Sequence, residues 1–219
     1  MPILDLDLKT LTHQGTPVLQ NVVVQLDPGE TLALVGPSGV GKSSLLRVIA
    51  GIDTRHDARC TVHGTCAMVF QEPTLLPWRT LFDNIRVTTG AGHSAIAAAL
   101  DDVGLLARAE DYPSQLSLGQ QRRLALARAF AVQPDLLLLD EPFVSLDPAL
   151  VDEMMTLFAT LRAQHNVATI LVTHIAEEAQ KLADRIVTLG GSPGTILSDV
   201  QNAGAYFQSS ASGVTSSRS

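Results

Sequence analysis

The eight residues Gly36-Pro37-Ser38-Gly39-Val40-Gly41-Lys42-Ser43 constrain this chain more than any other stretch. They follow an apolar run, Thr31 to Val35, that reads as a buried strand, and they open Ser43 to Ala50, which reads as a helix stopped by Gly51. A strand, a glycine-rich turn and a helix in that order make a phosphate cradle. Glycines let the backbone curl so that successive N–H groups point at one anion, with the positive helix end behind them. Lys42 is then placed to reach the β- and γ-phosphates of a nucleotide, the Ser43 hydroxyl to hold Mg²⁺, and Ser44 beside it to contact the nucleotide. A flexible turn is the bland alternative, but with glycine at about 7% usage the four fixed positions match by accident in only about one chain of this length per hundred.

Around that unit the periodicity sets the fold class. Leu4 to Lys9 alternates apolar and polar, and Val18 to Leu26 is rich in valine before Asp27-Pro28-Gly29, so two strands are expected there. Residues 60 to 70 suggest a hairpin around His63-Gly64. From about 72 to 133 the texture is helical, with segments at Ser94 to Val103 and Gln120 to Val132 separated by Gly104. Asp135 to Asp140 and Ala168 to Thr173 read as buried strands flanking a helix from Pro148 to about Gln164. A short helix through Ala183 and a closing hairpin, Ile186 to Leu189 with Thr195 to Leu197, complete the pattern. Strands alternating with helices imply an α/β fold with a mainly parallel core sheet. Residues 1–205 are expected to form one domain, and the Ser-rich, apolar-poor 206–219 a disordered tail.

Composition narrows the partners. The chain has 219 residues, 46% of them hydrophobic, enough for folding to bury roughly 70% or more of the extended-chain surface. Fifteen basic against 22 acidic residues give a net charge of −7 with no basic cluster, so nucleic acid is not an expected partner. The start, Met1-Pro2-Ile3-Leu4-Asp5, has no signal-peptide pattern, no segment approaches the roughly 20 apolar residues of a membrane span, and two cysteines fit a reducing compartment.

A second constellation is Leu136-Leu137-Leu138-Leu139-Asp140-Glu141, a buried strand ending in two acids ahead of Pro142. Acids at the carboxyl end of a parallel strand lie where such sheets bind ligands. Asp140 is expected to contact Mg²⁺ through water, and Glu141 to polarise the water attacking the γ-phosphate.

With these motifs stand Gln71 after a strand, Leu116-Ser117-Leu118-Gly119-Gln120 at the mouth of a helix, Ser145-Leu146-Asp147 after the acidic pair, and His174 after another strand. Together, in this order, they resemble the ATP-binding subunits of ABC transporters, from about Leu4 to Leu197. The resemblance implies a P-loop ATPase with an antiparallel β-region and a helical subdomain, working as a homodimer. Each nucleotide site would combine Gly36 to Ser43 of one chain with Ser117, Gly119 and Gln120 of the other. Ser117 and Gln120 could form a capping box that orients the helix end for phosphate. By the same resemblance Gln71 touches Mg²⁺ and the attacking water, His174 contacts the γ-phosphate, and Asp147 faces the partner subunit. Taken alone, His174 reads as an ordinary buried histidine and Asp147 as a surface turn.

The resemblance also implies integral membrane permease subunits, a short helix of which would dock near Gln71 to Thr80, where the lone Trp78 lies. The location would be peripheral, on the cytoplasmic face of the cell membrane, with a periplasmic or lipid-anchored solute-binding protein. Phe70 to Ile85 and Ser192-Pro193-Gly194 look most like the bacterial importer branch for nitrate, sulfonates, taurine or thiamine precursors. An exporter subunit, or a soluble ABC ATPase of DNA repair or the ribosome, is the alternative. Two positions depart from the family pattern: Leu118 replaces a glycine, and His13 stands roughly where an aromatic ring stacks on adenine. His56, Cys60, His63 and Cys66 imitate zinc spacing, but alternating residues of a hairpin face opposite sides, and metal is not expected there.

Overall fold

The structure is a computed structural model and describes residues 1–203; the expected tail, 206–219, lies outside the described residues. In chain order the elements are β1 (Leu4–His13), β2 (Thr16–Leu26), β3 (Thr31–Val35), α1 (Lys42–Ile49), β4 (His56–Val62) and β5 (Cys66–Val69). Then come α2 (Leu81–Thr89), α3 (His93–Asp102), α4 (Leu118–Phe130), β6 (Leu136–Asp140), α5 (Pro148–His165), β7 (Ala168–Val172), α6 (Ala176–Leu182), β8 (Arg185–Gly191) and β9 (Gly194–Gln201).

The strands of the described residues form one nine-stranded sheet in the order β4-β1-β2-β9-β8-β3-β7-β6-β5. From β8 through β5 all neighbours are parallel, as the alternation of strands and helices requires. At the other end β4, β1 and β2 pair antiparallel, and β1 buries Leu4, Leu6 and Leu8 while Asp5 and Asp7 are half-buried. The unbroken leucines of β6 serve two cores at once, because side chains alternate across a strand. Leu136 and Leu138 pack with Leu45 and Leu46 of α1, and Leu137 and Leu139 pack with Ile85, Leu124 and Phe158 of the helices on the opposite face.

The expected hairpin at residues 60 to 70 is not formed. β4 pairs antiparallel with β1, whereas β5 pairs parallel with β6, so the chain crosses from one end of the sheet to the other at Gly64. The reason is burial: Ala67 and Val69 pack on the helical core and Cys66 and Met68 on the α1 core, which a surface hairpin would have exposed. Gly64 turns at φ 100°, and the Asp135 carboxylate accepts from the Thr65 amide at 2.7 Å. Cys60 and Cys66 stand on different strands, β4 and β5, but pack against the same core and act on each other, and among the described residues no three His, Cys, Asp or Glu side chains form a metal-holding group. Burial raises the Cys60 thiol and pushes that of Cys66 up to about 11.

Candidate active site

β3 ends at Val35 and the chain turns at once. Gly36, Gly39 and Gly41 take φ of 148°, 79° and 110°, conformations that side chains with a Cβ rarely adopt. At Gly36 the turn is sterically closed as well, since a Cβ would sit 2.4 Å from the carbonyl oxygen of Leu189. α1 then starts at Lys42 with no side-chain cap, so its first N–H groups face the turn, as an anion cradle needs. Lys42 is 5% exposed, and its ammonium donates to the carbonyl oxygens of Gly36 at 2.8 Å and Pro37 at 3.0 Å. Neither acceptor is charged, so the cation keeps its attraction for a phosphate.

The next side chain, Ser43, donates its hydroxyl to Asp140 Oδ1 at 2.8 Å. Asp140 closes β6 and is buried; burial pushes its carboxyl up, more strongly than the Ser43 hydrogen bond holds it down. Two oxygens of this kind suit a hard divalent cation. Glu141 follows in the left-handed region, φ 46°, with its N–H on the carbonyl of Val172 at 3.0 Å. That conformation belongs to few residues other than glycine and costs about 1 kcal/mol or more. It leaves the Glu141 carboxylate 3.2 Å from Nδ1 of His174, just beyond β7.

Val18, Ser38, Gly39, Gly41, Lys42, Ser43, Ser44 and Glu141 line one pocket of about 180 Å³. Of the expected residues, the structure thus joins the glycine turn, Lys42, Ser43, Ser44, Asp140, Glu141 and His174. Asp140 and His174 join through Ser43 and Glu141 and do not line the pocket themselves, whereas Gln71, Ser117, Gly119, Gln120, Asp147 and His13 are not on the pocket wall. Gln71 and His13 are exposed, His13 at the end of β1. Ser117 caps α4 in a reciprocal pair, its Oγ accepting from the Gln120 amide at 3.3 Å and Gln120 Oε1 accepting from the Ser117 amide at 3.0 Å. Asp147 Oδ1 caps α5 by accepting from the Leu150 amide at 3.0 Å. Gly119 is buried against α5, where a Cβ would meet Leu150 Cδ2 at 2.7 Å, while Leu118 beside it is exposed.

Two participants escaped the sequence reading. Val18 lies on β2, and only the sheet order brings it to the phosphate turn. Glu178 on α6 is 3% exposed and accepts from the Thr173 hydroxyl, while Thr173 Oγ1 accepts from the Ile175 amide at 3.0 Å. Burial pushes the Glu178 carboxyl up, and the two side-chain bonds brace the turn that carries His174. A buried acid one turn beyond His174 gave a weak signal, since Glu177 beside it is exposed.

Further along, Trp78 is 68% exposed on a loop pinned by the fully buried Asn84. Its Oδ1 accepts from the Leu76 amide at 2.7 Å, and its Nδ2 donates to the carbonyls of Leu76, Arg79 and Thr80. No helix among the described residues is long and apolar enough to cross a membrane.

Residues 19–144 match the family model described as ABC transporter. The aliphatic sulfonates import ATP-binding protein SsuB 1 of Rhodococcus jostii (strain RHA1) is 43% identical over 195 residues, 85% of this chain and 80% of that protein. The aliphatic sulfonates import ATP-binding protein SsuB of Mycobacterium avium (strain 104) is 44% identical over 179 residues, 78% of this chain and 71% of that one. Among solved structures, CbiO1 from Clostridium perfringens, part of the ABC transporter complex CbiONQ, superimposes with a TM-score of 0.81 at 23% identity over 92% of this chain and 88% of that chain. With the phosphate turn and Glu141 lining one pocket, with Asp140 hydrogen-bonded to Ser43 behind it, and with this sequence likeness, the chain belongs to the ABC transporter family as an ATP-binding, ATP-hydrolysing subunit.

Proposed function

We propose that the chain hydrolyses Mg²⁺-bound ATP at sites shared between two copies and so drives import of small organic sulfonates through membrane permease subunits. The observation that carries this reading is one pocket lined by Lys42, Ser43 and Glu141, with Asp140 bonded to Ser43 and His174 3.2 Å from Glu141, in a chain similar over most of its length to sulfonate import ATP-binding proteins. Lys42 and the first amides of α1 hold the β- and γ-phosphates. Ser43 and Asp140 would hold Mg²⁺, with Gln71 as a further oxygen ligand. When bound, the ion neutralises charge on the phosphate oxygens. Glu141 orients a water and accepts its proton as the oxygen bonds to the γ-phosphorus and ADP leaves. His174 holds the Glu141 carboxylate in place and reaches for the γ-phosphate.

Residues 1–205 act as the ATPase domain, with about 72–133 as its helical part. Its exposed Trp78 loop docks a permease helix on the cytoplasmic face of the membrane, and a solute-binding protein delivers the sulfonate. Whole-cell uptake of a radiolabelled alkanesulfonate tests the reading. Deleting the gene should abolish uptake, and the wild-type chain but not its Glu141→Gln variant should restore it. Unchanged uptake in the deletion would overturn the substrate, and restoration by the Gln variant would overturn the role of Glu141.

A further inference from the structure

α4 carries a buried arginine that holds two separate loops of the site. Arg122 is 5% exposed; its guanidinium donates from Nη1 to the backbone carbonyl of Gln71 and from Nη2 to that of Val144, the latter at 2.9 Å. Both acceptors are neutral, Nε is buried without a protein partner, and burial makes the guanidinium less willing to keep its charge. A buried cation of this kind is unfavourable on its own, and packing alone is better served by an apolar side chain. What Arg122 supplies is geometry: one rigid planar fork fixes two carbonyls 73 positions apart in sequence. Arg128, further along the same helix, donates to the carbonyls of Pro73 and Thr74 and to Thr74 Oγ1. α4 therefore grips the Gln71 to Thr74 segment at two points. Of these two arginines only Arg122 also reaches the turn between Glu141 and Asp147.

We propose that Arg122 is a positioning residue that fixes both the Gln71 loop and the Glu141-to-Asp147 turn to α4, so that a displacement of α4 is carried to Glu141. The inference rests on the reading that Glu141 activates water. Hydrogen exchange by mass spectrometry and ATP turnover, both on the purified chain, test it, with Glu141→Gln as the control. Normal turnover in that control would defeat the reading of Glu141 itself, whatever Arg122 does.

In Arg122→Met, amides of residues 70–76 and of 142–147 should both exchange about tenfold faster, as loss of hydrogen bonds to a charged donor implies, with α1 unaffected. Its kcat should fall about tenfold or more while KM for ATP stays within about twofold. Arg128→Met should loosen 70–76 and leave 142–147 as in wild type. Wild-type exchange at 142–147 in Arg122→Met, unchanged kcat, or faster exchange throughout the chain would overturn the proposal. If Arg122→Met does not fold, Arg122→Lys decides: an ammonium lacks the fork that spans both carbonyls, so one of the two loops should exchange faster, and wild-type exchange in both would overturn the proposal.

Discussion

Asp140 is a buried acid whose value to the chain lies in what it binds, not in what it stabilises. Its carboxyl is pushed up by burial, so the folded chain without ligand favours the protonated form more than the unfolded chain does. The sign follows: at neutral pH the ionised group lowers stability, and acidifying through its raised value removes that penalty. Asparagine keeps an oxygen for the Ser43 hydroxyl without the charge. Asp140→Asn should therefore raise the Tm of the ligand-free chain at pH 8 by roughly 2–4 °C, the shift that about 1 kcal/mol produces in a domain of this size. The gain should narrow at pH 5, and Mg²⁺-dependent ATP turnover should be lost. Calorimetry at the two pH values checks it, and a gain that grows on acidification would contradict the assignment. Neither the burial of Asp140 nor the contact of Glu141 with His174 follows from the residue types alone.

At the scale of elements, helix starts were the most legible feature, because a cap involves three or four consecutive residues. Ser117 with Gln120 was readable as a reciprocal cap and forms one; Asp147 is resolved by the structure as the cap of α5, inside the loop expected to face a second subunit. The two roles of Asp147 separate by substitution. Asp147→Ala should lower stability to urea by about 1 kcal/mol, the usual effect of losing such a cap, while Asp147→Asn should stay within about 0.3 kcal/mol. If Asp147 also contacts a second copy, the Asn variant should lose ATP turnover without losing stability. Strand placement was less legible. The apolar run of β5 fits a hairpin as well as a crossing, and the choice falls to which partners bury Cys66 to Val69 on both faces. Arg122 is unreadable for the same reason: Arg122 and Arg123 stand side by side, yet one is buried on carbonyls and the other pairs with Glu153.

For the whole molecule the size of the site is the telling quantity. A pocket of about 180 Å³ falls below the roughly 300 Å³ at which small-molecule sites begin, and the exposed Ser117 and Leu118 at the start of α4 lie outside it. A second copy could supply what is missing. Glu141→Gln with saturating MgATP should therefore run in light scattering at twice the 23.3 kDa of one chain, whereas without nucleotide it should run as one. A single-chain mass at saturating ATP would rule out the shared site.

What the sequence determined by itself is what eight or ten consecutive residues can encode: the glycine turn with Lys42 and Ser43, the alternation of β1, the leucines of β6 and the reciprocal cap of α4. Backbone conformation and side-chain periodicity are local, so they can be read locally. Only the tertiary structure decided that Ser43 meets Asp140, that His174 meets Glu141, that β5 leaves β4 for the far end of the sheet, and that Arg122 joins two loops. Each of those outcomes depends on which apolar surfaces are buried together, and burial is settled between residues tens of positions apart in the chain.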